Sequence, residues 1–144
     1  MIALLLAASL AQAAPPAPAP DPCNAAGQPE TPRPGCPAWR LVRRTDEGAG
    51  WLDPASVRRE GDQVILMTRT TLPEAAESGM ISILGRVRID CTQRTVQLIL
   101  ISGWTAAGIR LFEGVPEDPP GRPVAGSASA AMLDEYCPRG DQGA

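Results

Sequence analysis

A chain of 144 residues that holds no histidine and no lysine has few ways to do covalent or acid–base chemistry. Without histidine there is no Ser–His or Cys–His nucleophile, and no imidazole to bind a metal or shuttle a proton. Without lysine a Ser–Lys arrangement is impossible as well. Carboxylates remain. Asp46–Glu47, Glu117–Asp118 and Asp134–Glu135 are adjacent pairs. General acid–base work needs two carboxylates turned toward one substrate, and neighbours on a strand point to opposite faces. The first two pairs also fall in turn-like segments, so solvated side chains are the better reading. Asp53 and Asp90 suit structural work, capping a turn or pairing with an arginine. Gly48 and Gly50 alone do not make a phosphate loop. The residues therefore predict no catalytic site.

The thiols point elsewhere. Cys23, Cys36, Cys91 and Cys137 include no C-x-x-C, and no histidine completes a tetrahedral set, so neither zinc nor any other cofactor is expected. Pairing as Cys23–Cys36 and Cys91–Cys137 closes one local loop and ties one strand end to the C-terminal segment. On the chain-entropy account each bridge contributes about 3–4 kcal/mol. Bridges belong outside the reducing cytosol. The opening "MIALLLAASLAQA" agrees, an apolar run ending in Ala11–Gln12–Ala13 that reads as a signal peptide over residues 1–13. The run is too short to span a bilayer. A periplasmic or secreted protein with no membrane span after cleavage is expected. The formal net charge of −3 argues against a nucleic-acid partner and against attraction to an anionic membrane.

The elements that must position these groups follow from pattern. Residues 14–37 are rich in Pro, Ala and Gly and read as a linker carrying the small disulfide loop. The domain proper is expected over residues 38–138, with a disordered tail at 139–144. Alternation predicts strands at 39–44, 50–53, 63–72, 80–91, 95–102 and 108–114. Turns are expected at 45–50, at Asp53–Pro54–Ala55–Ser56, at 59–63, at 92–94 and from Trp104 to Gly108. One helical turn fits 73–79. "GSASAAMLDEYCP" (126–138) reads as a helix with Ser127 as N-cap and Pro138 as stop. The predicted fold class is α+β, a single antiparallel sheet of about six strands with a C-terminal helix packed on one face.

In the fourth strand Ile81, Ile83, Val87, Ile89 and Cys91 share one face by period-two geometry, which sets Cys91 on the core side. The other face is unusual. It is expected to carry Ile65, Met67 and Arg69 from the third strand, Leu84, Arg86 and Arg88 from the fourth, and Ile99 and Ile101 from the fifth. A solvent face should be mostly polar. Apolar residues mixed with arginine imply either a cover, such as the Pro-rich N-terminal segment, or a partner surface, including a second copy of the chain. A register slip of one residue would exchange the two faces.

Trp39 opening a strand, "GWLDPASVRREGDQV", "IDCTQRT" and the closing "GSASAAMLDEYC" together resemble the surface-adhesin protein E family of Gram-negative envelope proteins, over about residues 39–138. The resemblance implies a small antiparallel sheet packed by a C-terminal helix, a Cys91–Cys137 bridge, and exposure at the cell envelope. The expected function is a non-enzymatic binding or adhesin-like module for an envelope or extracellular macromolecule. The alternative is a small-ligand carrier or sensor with its site between sheet and helix, which requires a cavity near Val87, Leu98, Leu100 and Met132.

Overall fold

The structure, a computed structural model, describes residues 13–25, 29 and 31–140. The expected signal peptide lies outside the described residues except for Ala13, and so do residues 141–144 of the expected tail. Six strands form one antiparallel sheet in chain order: β1 (Arg40–Thr45), β2 (Gly48–Glu60), β3 (Gln63–Thr71), β4 (Met80–Asp90), β5 (Thr95–Thr105) and β6 (Arg110–Gly114). One helix follows among the described residues, α1 (Ala128–Tyr136). The expected fold class is what the chain adopts.

Sequential pairing suits short connections. Gly61 and Asp62 alone join β2 to β3, and Gly61 takes φ +61°, a conformation that costs glycine nothing in a tight hairpin. Residues 73–79 form turns, not the helical turn expected there.

Two irregularities reshape the expected strands. β2 does not stop at Asp53 but continues to Glu60, with a register break between Asp53 and Arg58. The expected Asp–Pro turn is present inside the strand as a bulge. The Asp53 carboxylate accepts from the Ala55 N–H, and Ser56 Oγ donates to the Asp53 carbonyl and accepts from the Met67 N–H. The hydroxyl thus takes over a ladder bond that the bulged backbone cannot make. β5 likewise runs on through Trp104 to Thr105. Val87 pairs with Leu98 but Arg86 pairs with Leu100, so Ile99 is an extra residue in β5.

The helix covers one face. Leu52, Val64, Leu66, Val87 and Ile89 from the sheet meet Met132, Leu133 and Cys137, with Val42, Val57, Val96, Leu98 and Tyr136 at the margin. Ser127 caps the helix by accepting from the Ala130 N–H. Its first turn lies tight against β2: a Cβ on Gly50 would fall 2.6 Å from Ala128 Cβ. Its last turn is clamped from several directions. Cys137 is bridged to Cys91, with Cα atoms 5.2 Å apart. Arg59 donates to the Tyr136 carbonyl at 2.6 Å and Arg94 to the Cys137 carbonyl at 2.8 Å, satisfying acceptors that a helix end leaves open. Arg94 also pairs with Asp134, and Arg40 with Glu135, each at 2.6 Å. The adjacent carboxylates Asp134 and Glu135 therefore each pair with a different arginine.

Candidate functional site on the helix-free face

Cross-strand register builds this face row by row. Ile65 stands opposite Arg88, Met67 opposite Arg86, and Arg69 opposite both Trp51 and Leu84. In β5, Leu100 stands opposite Arg86 and Ser102 opposite Leu84. Residues directly opposite in an antiparallel pair share a face. The expected set is thus brought together for Ile65, Met67, Arg69, Leu84, Arg86 and Arg88. Ile101 is a correction: it pairs with Gly85, on the helix side, because the bulge at Ile99 shifts the alternation by one. Leu100 takes its place beside Arg86.

The face divides into two halves. At one end Trp51 is 2 % exposed, Arg69 3 % and Ser82 0 %, with Ala49, Ser102 and Trp104 also buried. Trp51 donates through its indole N–H to Thr71 Oγ1, and Trp104 to Ser102 Oγ. The cover is the N-terminal disulfide loop. Cys23 and Cys36 are bridged with Cα atoms 5.2 Å apart. The Asp21 N–H donates to the Gly108 carbonyl at 2.8 Å, Asn24 is buried, and Arg69 Nη1 reaches the Cys23 carbonyl at 3.5 Å. A Cβ on Gly108 would collide with the Asp21 carbonyl, so the loop sits directly on the β5–β6 turn. Residues 21–25, read from composition as linker, dock through main-chain bonds and one buried amide.

The other half is open. Ile65, Met67, Arg88 and Leu100 are half-buried and Arg86 is exposed. Beside them a groove of about 320 Å³ is lined by Gln63, Arg88, Asp90, Gln93, Thr95, Gln97 and Pro120. Arg88 Nε is buried without a hydrogen-bond partner among the described residues. The Pro-rich segment after β6 closes the rim. Val96 and Gly121 form a bridge, and Gln97 Nε2 donates weakly to the Asp118 carbonyl at 3.4 Å. Three amides, a threonine, an arginine and one carboxylate, Asp90, around one groove can bind an extended polar chain, and a single carboxylate makes no converging pair.

Two further concavities lie on the helix side. One, of about 210 Å³, opens between sheet and helix and is lined by Thr68, Thr70, Ile83, Val87, Leu98, Ser129 and Met132 among others. The other, of about 490 Å³, runs between the helix and residues 122–126, with Arg94, Arg122 and Arg139 at its walls. Among the described residues no group of three or more His, Cys, Asp or Glu is placed to hold a metal. No helix among them is long and apolar enough to cross a membrane.

Comparison with protein-family models, with curated proteins and with solved structures gives no match. Sequence reasoning missed Gln63, Gln97 and Leu100. The glutamines alternate correctly with Val64 and Val96 and could have been found by that signal. Leu100 could not, since both its neighbours are isoleucine.

Proposed function

We propose that this protein is an exported, disulfide-stabilised, non-enzymatic binding module that takes an envelope or extracellular macromolecule on the open half of its helix-free face. The observation that carries the reading is the patch in which Arg86 and Arg88 of β4 lie between Ile65 and Met67 of β3 and Leu100 of β5, with a buried Arg88 Nε that has no hydrogen-bond partner among the described residues. Buried polar groups are nearly always satisfied, so an orphaned guanidinium N–H beside an apolar strip favours a ligand that brings an acceptor. Methionine and arginine, both present here, are also enriched at interface centres. The two disulfides suit an oxidising compartment, and the resemblance to the surface-adhesin protein E family supports an envelope address. A second copy of the chain is one candidate occupant. The test is a Leu100→Arg variant compared with wild type by cross-linking in the native compartment and by light scattering. Loss of the cross-linked species with the fold intact supports the face; retention of every partner and of the oligomeric state sinks it.

The carrier reading is favoured by one observation, the cavity of about 210 Å³ lined by Val87, Leu98 and Met132. It lies below the range of about 300–1,000 Å³ usual for drug-sized ligands, so its occupant would be a short, largely apolar molecule. Native mass spectrometry of protein taken from its own compartment checks this. A small molecule lost on Met132→Trp supports a carrier, and a ligand-free wild type counts against it.

A further inference from the structure

Arg69 is an anomaly that the open face does not explain. It is 3 % exposed, and a guanidinium in a protein stays protonated. Of its N–H donors, Nη1 makes one long bond of 3.5 Å to the Cys23 carbonyl, and Nε has no partner among the described residues. None of the ion pairs among the described residues involves it. Burial, and after it the positive charge of Arg33, push the Arg69 pKa down. Arg33 itself is anchored to the loop by donating to the Pro22 carbonyl at 3.0 Å. Both arginines line a cavity of about 20 Å³ beneath the stapled loop, walled also by Cys23, Cys36, Thr31 and Trp39.

We propose that this cavity is a binding site for one small monovalent anion of the halide class, held between Arg69 on the sheet and Arg33 on the loop. A water could accept from Nε but would leave two like charges at one cavity, one of them buried, with no counter-charge paired to Arg69 among the described residues. The volume suits roughly one water-sized particle, so a monatomic anion such as chloride fits it better than sulfate, phosphate or a carboxylic acid ligand. An anion placed there bridges loop to sheet and latches the cover over Arg69.

The test uses the full, oxidised protein. Crystals grown without halide and soaked in sodium bromide should show an anomalous bromine peak within hydrogen-bond reach of Arg69 Nε. Water density at that position overturns the proposal. So does bromide at exposed arginines alone, an adventitious ion only. In solution the melting midpoint should rise with sodium chloride in a saturable way, relative to sodium gluconate at equal ionic strength. Arg33→Gln leaves the buried guanidinium in place, so it should fold, and it should raise the half-saturating chloride concentration about tenfold, the effect of removing one partly screened charge. Arg69→Gln should abolish the saturable response; if that chain does not fold, Arg33→Gln carries the test. An unchanged chloride response in Arg33→Gln overturns the proposal.

Discussion

Arginine does most of the polar work in this chain, and single residues differ widely in what they hold. Arg40 and Glu135 are both nearly half exposed, so Glu135→Ala should cost less than about 1 kcal/mol in chemical denaturation. Arg94 is more enclosed and serves two acceptors, the Asp134 carboxylate and the Cys137 carbonyl. Arg94→Ala should cost about 1–3 kcal/mol, and a value equal to that of Glu135→Ala would show that the helix end is held by the disulfide alone. The sequence made the Asp134–Glu135 pair visible but not its partners, which lie 40 and 95 residues away. Spacing carries no information about contacts that only the folded sheet creates. Cys23–Cys36 was legible for the opposite reason, since it closes a loop across only 13 positions.

At the scale of elements, what the sequence hid was irregularity within strands. In "TVQLILIS" positions 98–101 are all aliphatic, so nothing in the alternation marks Ile99 as an extra residue, and the faces beyond it were assigned one place out. The corrected register makes a paired prediction. Leu100→Arg, on the helix-free face, should fold and melt near wild type. Ile101→Arg, on the helix side, should lower the midpoint clearly. Equal effects would place the bulge elsewhere. The helix seat offers a second check. Because Gly50 lies under Ala128, Gly50→Ala must displace the first helical turn, and a loss of about 1–3 kcal/mol is expected in urea titration. A neutral Gly50→Ala would mean that the helix rides higher on the sheet.

At the scale of the whole molecule, two staples hold two covers on one sheet. Cys91–Cys137 fixes the helix over Leu52, Val64, Leu66 and Ile89, and Cys23–Cys36 shapes the loop that sits on Arg69 and the β5–β6 turn. Cys137→Ser should destabilise the domain by about 2–5 kcal/mol in denaturant, as for other native bridges, and a loss well under this would shift the burden to Arg59 and Arg94. The helix cover was legible because its apolar spacing, N-cap and terminal Pro138 agree with one another. The loop cover was legible only as one of two readings of the mixed face, because residues 21–25 dock by main-chain bonds and a buried asparagine, which leave no hydrophobic signature in a Pro-rich stretch. What the two covers leave exposed, the strip from Ile65 to Leu100, is where a partner should bind. The direct measurement is photo-cross-linking in the native compartment, with a reactive residue placed in turn at Met67, at Arg86 and at the exposed Val124. Adducts from 67 and 86, absent from 124, are what the account predicts; adducts from 124 alone, or equally from all three positions, would contradict it.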